Sequence, residues 1–433
     1  MFSRRPAALT AAVVALATAG LAAGCASAQQ MQTVAMVTAA PTATPAADPA
    51  AQAQVVDGLN GFGLALFRQL GTGNGNLVLS PRSLAQVLTM LLPGARGTSA
   101  SELETVLGDT GLDPAQAAYA LGAQDAATRQ RAVAGSDTLT EADDIWVQKG
   151  MSLQTAYLQT LSGAFGTGVR TPDFAADPQA AATAINQQVS QDTDGLIPQL
   201  FAPGSIRSDT TLVLTDATYF KAPWDQAFDP SQTAPANFTT AAGPTASVSM
   251  MNQTAQFGYT SGPGWKAVQL PYNGGQLAMD VLLPSSDTSA ALTAYRNSLT
   301  AKGLTAMADD FAPTQVELSL PKFTISSSEG DLQAPLEQLG LRSVFTGSAD
   351  LSGLFASPQA APPYVQSVVQ KADIQVTEQG TTAAAGSGVE VGSAGAAMPQ
   401  TQAVFDADHP FVYMIRDVIS GQILFLGQVG DPS

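Results

Sequence analysis

Glu378-Gln379-Gly380-Thr381-Thr382-Ala383-Ala384-Ala385-Gly386-Ser387-Gly388-Val389 opens a connection of more than 25 residues between two strand-like segments, one ending near Thr377 and one starting near Phe405. Connections of that length inside a domain are uncommon, and are either functional or unstructured. From Gly380 to Met398 there is no Lys, Arg, Pro or aromatic residue. Laid out as a strand, Thr381, Ala383, Ala385 and Ser387 would face one side. Thr382, Ala384, Gly386 and Gly388 would face the other. All eight side chains are small and uncharged, so either face could enter a packed sheet without burying a charge or overfilling it. The absence of Pro keeps every amide available for a ladder. A plain Gly/Ala/Ser linker has the same composition, and composition alone does not choose between the two.

Upstream of this stretch, Ala372, Ile374 and Val376 alternate with Asp373, Gln375 and Thr377, the period of a half-buried strand. Downstream, Phe411 to Ile415 and Gln422 to Val429 flank Ser420-Gly421 and read as a closing hairpin. Further strands are expected at 211–215, 217–220, 267–270, 279–283 and 316–320. Earlier in the chain the period changes. Leu59, Phe62, Leu66 and Leu70 recur at helical spacing. Asn76-Leu77-Val78-Leu79 reads as a buried strand, and Ser80-Pro81 then caps a helix through Leu84, Val87, Leu88 and Leu91. Helices are also expected over 98–107, 115–133, 152–164 and 177–192. Helices early and strands late, without strict alternation, argue for an α+β fold with mainly antiparallel sheets.

The 433 residues are 45% hydrophobic, enough for a large core and unlike a disordered chain. Charged residues make up 12%, with 18 basic against 35 acidic, a net charge of −17. Nucleic acid and anionic membrane surfaces repel such a chain. One cysteine and one histidine exclude an internal disulfide and a cysteine–histidine zinc site. No metal or other cofactor is expected. A Ser-His-Asp or Cys-His arrangement would depend on His409 alone.

Arg4 and Arg5, the apolar run Ala7 to Ala23 and the small residues after it form a signal segment, 1–25. Leu21-Ala22-Ala23-Gly24-Cys25 resembles a bacterial lipobox, which would make Cys25 a lipidation site. Ordinary secretion with cleavage near Ala26-Ser27-Ala28 is the other reading. Both place the protein outside the cytoplasm, at the cell surface or beyond it. Residues 26–54 read as an Ala/Pro/Thr-rich linker, and 55–433 as the folded domain.

Ordered blocks along that domain resemble the serpin family. Asn76-Leu77-Val78-Leu79-Ser80-Pro81-Arg82-Ser83 is similar to its early strand-to-helix signature. Gly94-Ala95-Arg96-Gly97-Thr98 and Thr193-Asp194-Gly195-Leu196-Ile197 follow in order. The most specific block is Thr215-Asp216-Ala217-Thr218-Tyr219-Phe220-Lys221-Ala222-Pro223-Trp224. Leu320-Pro321-Lys322-Phe323, Glu378-Gln379-Gly380-Thr381 and Asp408-His409-Pro410-Phe411 complete the match.

The resemblance implies a serpin fold with mixed, mainly antiparallel sheets, surrounding helices and an exposed reactive-centre loop. It implies a monomeric, non-enzymatic inhibitor that traps a serine protease covalently by inserting the cleaved loop into a sheet. Such insertion is a known case of strand addition and strain release. Glu378, Gly380, Thr381, Thr382, Ala383, Ala384 and Ala385 align with the loop hinge. Ser80, Ser83 and Asn186 match positions under the sheet centre that control its opening, and Trp224 matches the tryptophan at the sheet top. Gln370 stands where a histidine is common, so the hydrogen-bond network there must differ. Counting forward from Gly380 puts the reactive bond at Ala394–Gly395, with Ala396–Ala397 and Ala397–Met398 behind it. Counting back from Pro410-Phe411 lands near Met398-Pro399, a poor substrate bond. Small residues in this window suit elastase-like or subtilisin-like proteases. The alternative is a non-inhibitory serpin that acts as a substrate or binding module, and Gly386, Gly388 and Gly392 keep it open through the entropy glycine costs a strand.

Overall fold

Leu212–Pro223 is a single twelve-residue strand, where the sequence pattern suggests two shorter ones. Its alternation sorts side chains cleanly. Leu212 and Leu214 face one core together with the helix Pro81–Leu91, while Val213 and Ala217 face another with the helix Pro178–Asp192. The computed structural model describes residues 34–41, 48–71, 75–327, 331–381 and 403–433.

Leu212–Pro223 lies at the middle of an eight-stranded sheet. On one side Thr138–Glu141 and Asp144–Val147 pair with it antiparallel, followed outward by Val169–Arg170 and Met36–Val37. On the other side Val365–Thr377 runs parallel to it, from Leu212↔Val365 to Tyr219↔Asp373, and Phe323–Ser327 closes that edge. A second, nine-stranded sheet runs Ala403–Asp406, Ala312–Pro321, Thr245–Gly262, Trp265–Pro271, Leu277–Pro284, Phe411–Asp417, Ile423–Val429 and Leu77–Leu79. Ala234–Thr239 pairs with its long strand Thr245–Gly262. All pairings in that sheet are antiparallel except Ala312–Pro321 with Ala403–Asp406.

Ser80 caps the helix Pro81–Leu91, its hydroxyl oxygen accepting the Ser83 amide at 3.3 Å. Every residue of this helix is buried, which fits a helix passing beneath a sheet. Between the two sheets Phe323 packs on Phe411 and Tyr413, with ring centroids at 6.0 and 5.4 Å.

The linker reading needs correction. Met36–Val37 forms an edge strand, with the Thr171 amide also bonded to the Ala35 carbonyl at 2.9 Å. A helix capped by Asp48 then begins at Pro49, earlier than the apolar periodicity shows. Strand pairing and the partial burial of Val34 and Ala39 against the core outweigh the low-complexity composition. Strand Thr245–Gly262 and helices Ser289–Ser298 and Ala301–Asp309 have no counterpart in the sequence reading.

Candidate functional site

The seam between Leu212–Pro223 and Val365–Thr377 carries the candidate site. Below, the two strands pair directly as far as Tyr219 and Asp373. Above, a two-residue strand, Gly380–Thr381, stands between them. It pairs antiparallel with both, Thr381 opposite Ala222 and Val376, Gly380 opposite Pro223 and Thr377. The chain reaches this position by turning back tightly through Glu378-Gln379, and Gly380 makes the turn possible. Its φ is +147°, and a Cβ there would lie 2.1 Å from the Ala222 carbonyl oxygen. Only glycine takes that conformation at low cost.

Side chains fix the turn from three directions. Trp224 stacks on Tyr272, 4.7 Å between centroids and 7° from parallel, and its indole N–H donates to the Thr377 carbonyl at 3.0 Å. The hydroxyls of Tyr272 and Thr381 are 2.5 Å apart, both residues fully buried. Burial raises the Tyr272 phenol well above its ordinary range, so it stays protonated and able to donate. Glu378 accepts from Lys322 at 2.9 Å and from the Thr233 hydroxyl at 3.0 Å. Burial alone would raise its pKa, but the Lys322 bond, its own backbone amide and Thr233 together hold it below the usual range. The backbone of the turn is tied as well, Gln379 O accepting from the Trp224 amide and Glu378 O from the Phe228 amide.

Lower down, a buried polar cluster bridges the seam from beneath. Ser83 Oγ is 2.7 Å from Asp143 Oδ1 and also hydrogen-bonds Asp216 Oδ1. Gln370 donates to Asp216 Oδ2 at 2.5 Å and to the Ser80 carbonyl at 2.8 Å. The Ser80 amide donates back to the Gln370 side-chain oxygen at 3.2 Å. Gln86 donates to Asp143 Oδ2 at 2.8 Å. Burial pushes both carboxyls above the ordinary carboxylate range, and for Asp143 the neighbouring Asp216 charge adds to the rise. The cluster thus ties both strands of the seam to the capped end of one helix.

Of the residues expected from sequence, Ser80, Ser83, Trp224, Glu378, Gly380 and Thr381 all lie along this seam, and Gln370 bonds within its network. Asn186 does not. It sits on the helix Pro178–Asp192, packed on the opposite face of the sheet. There its side-chain oxygen accepts the Leu200 and Phe201 amides at 2.8 Å, and its amide donates to the Phe201 carbonyl. The seam position assigned to it belongs to Asp216. Thr382, Ala383, Ala384, Ala385, the bond candidates Ala394, Gly395, Ala396, Ala397 and Met398, and Cys25 lie outside the described residues. His409 bridges Asp408 and the Pro284 carbonyl, both at 2.7 Å, a tie between strand ends. Sequence reasoning missed the roles of Asp143, Asp216, Tyr272 and Lys322. Asp216 had a signal: among Leu212, Leu214, Asp216, Thr218 and Phe220 it is the one charge on an otherwise inward-facing row.

The family description "Serpin (serine protease inhibitor)" matches residues 57–432. The leukocyte elastase inhibitor of Sus scrofa is 34% identical over 380 residues, covering 86% of this chain and 97% of that protein. A serpin-like protein of Thermococcus kodakarensis is 32% identical, covering 87% of this chain and 86% of its own length. Among solved structures, native protease nexin-1 with heparin superimposes with TM-score 0.76 at 28% identity, covering 88% of this chain and all of that one. The thermophilic serpin tengpin, in its native state, reaches 0.80 at 22% identity, covering 92% of this chain and all of that one, a likeness of fold. With a seam already parted at its top by the start of a long connection, and with matches over almost the whole domain, the chain belongs to the serpin family of serine protease inhibitors.

Proposed function

We propose that this chain traps a serine protease with a shallow specificity pocket, elastase-like or subtilisin-like, after attack at Ala394–Gly395. The protease serine would add to the Ala394 carbonyl, expel the new amino terminus at Gly395 and remain as an ester on Ala394. The hinge would then enter the seam and carry the ester-linked protease with it. The observation that carries this reading is the pairing of Gly380–Thr381 with both strands above a seam still closed below. Continued in the same register, an incoming strand would set Ala383 between Phe220 and Ile374 and Ala385 between Thr218 and Ala372. Ser387 would fall between Asp216 and Gln370. The strands already face each other as Tyr219↔Asp373 and Thr218↔Ala372, so an added strand fits both without sliding either. Small side chains on that inward row avoid overpacking.

The small residues from Ala394 to Ala397 support the protease class, as does the naming of several relatives as leukocyte elastase inhibitors. Arg4, Arg5, the apolar run and Cys25 support export and lipid anchoring at the cell surface. The test mixes the domain with pancreatic elastase and with subtilisin. A complex that survives boiling in detergent, with a released peptide beginning between Gly395 and Met398, is the expected result. Clean cleavage in that window without complex, across several proteases, would replace inhibition with substrate behaviour. Labelling of Cys25 by radioactive palmitate in a bacterial host checks the anchor.

A further inference from the structure

The two carboxyls at the seam pose a proton-counting problem. A serine hydroxyl has one proton to donate. Ser83 Oγ nevertheless lies within hydrogen-bond reach of a carboxyl oxygen of Asp143 and one of Asp216. The hydroxyl can donate to only one of them. The second contact is a hydrogen bond only if the other carboxyl carries a proton and donates it to Ser83. The remaining oxygens are held by amide donors, Gln86 on Asp143 and Gln370 on Asp216, so the extra proton belongs on the Ser83 side. Thr218 adds a longer bond to Asp216 at 3.2 Å.

The surrounding charges oppose burial at this pair without overcoming it. From the helix Pro81–Leu91 comes Arg82, bonded to Asp125 at 2.7 Å and paired with Glu141. From the helix Pro114–Ala134 come Asp125 and Arg129, the latter 3.3 Å from Glu141. These two cations are shared with two anions, and although Arg82 lowers both Asp143 and Asp216, burial outweighs it and both carboxyls stay raised. On Val365–Thr377 the inward side chains Val368, Gln370 and Ala372 carry no charge. With both carboxyls ionised, two like charges would share one hydroxyl in a water-excluded site.

We infer that the proton shared by Asp143 and Asp216 across Ser83 is a latch on the seam between Leu212–Pro223 and Val365–Thr377. Raising the pH releases the latch and promotes opening. The inference rests on the reading that this seam opens in use, and it gives that opening a chemical control. Opening would break the Gln370–Asp216 bond and admit water, returning both acids toward ordinary behaviour. The closed seam therefore binds the proton more tightly than the open one. Burial pushes Asp216 up to about 7 in the closed state. The latch is then complete near the ordinary carboxylate range and is lost as the pH rises to neutrality.

The experiment is amide hydrogen exchange on the intact protein without protease, across that pH range and corrected for intrinsic exchange. Peptides covering 212–219 and 365–373 should lose protection by at least about tenfold from acid to neutral conditions. Asp216→Asn should flatten that slope. Its amide N–H₂ can donate to Ser83, its carbonyl can accept from Gln370, and Ser83 remains free to donate to an ionised Asp143, so the variant copies the latched state. Asp143→Asn provides the same test if the first variant fails to fold. In the wild type, infrared difference spectra should show the C=O stretch of a protonated carboxyl that Asp216→Asn removes. Protection independent of pH in the wild type, or a slope surviving in both variants, would overturn the latch. A pH-dependent seam in a protein that forms no protease complex would keep the latch and remove the inhibitory reading, so the two fail separately.

Discussion

At its upper end the seam is parted by backbone and held by rings; at its middle it is closed by side chains that share protons. The top is a matter of shape: one glycine turn, Trp224 stacked on Tyr272, and a two-residue strand set between its neighbours. The middle is a matter of charge: two carboxyls, a serine and two glutamines under strands that still touch. Entry and progress of an incoming strand are therefore governed separately. Entry is settled mainly by geometry, with the partly exposed Lys322–Glu378 pair adding a small dependence on pH, whereas progress past Tyr219 and Asp373 depends on the protonation of what lies beneath.

Tyr272→Ala should give the largest change. It removes a buried ring that supports both Trp224 and Thr381, and such truncations cost about 3–5 kcal/mol. The midpoint of thermal unfolding should fall, and denaturing gels should show cleaved product gaining at the expense of complex. An unchanged ratio of the two would remove the rings from the upper half of the comparison. Gly380→Ala comes next, since strained backbone of this kind costs about 1–3 kcal/mol. Exchange should quicken at the Gly380–Thr381 pairing and stay slow at 212–219. Equal loss at both would mean that the two halves are one unit.

Asn186→Ala should cost about 1–2 kcal/mol, because two loop amides lose their acceptor. Denaturant titration should register that loss, while the pH slope of seam exchange stays as in the wild type. A changed slope would return Asn186 to the control of the seam. Lys322→Met should be the smallest effect, under about 1 kcal/mol, because Lys322 is 38% exposed and solvent screens the pair. Its sign separates the two regions. Glu378 has a lowered folded pKa, so its stabilisation is present above the ordinary glutamate range and lost as the pH falls through that lowered value. The variant and the wild type should therefore converge in acid. The carboxyl pair behaves oppositely, its contribution fading as the pH rises.

Local chemistry was the legible part. The Ser80-Pro81 cap, the alternation of Ala372, Ile374 and Val376, and the helix expected at 177–192 rest on neighbours in sequence, and the structure keeps all three. Thr245–Gly262 was hidden because its Ser, Thr and Gln residues give no clean alternation. Its order comes from pairing with Ala234–Thr239, Trp265–Pro271 and Ala312–Pro321. Asn186 was misplaced because it was assigned through the resemblance, and a motif match does not reveal which face of the sheet its helix covers. The partnership of Asp143 with Asp216 joins distant parts of the chain through a third residue, Ser83, and no spacing rule announces it.

The short strand Met36–Val37 has a mechanical meaning. It attaches the amino-terminal arm directly to the outer edge of the sheet that contains the seam. With Cys25 as the anchor proposed above, ten residues of chain, 26–35, separate lipid from sheet, a reach of about 40 Å at full extension. A protease could then be caught only within about that distance plus the domain's own height above the bilayer. Any pull on the captured enzyme would be transmitted to the membrane through the edge of the inhibitor's own sheet.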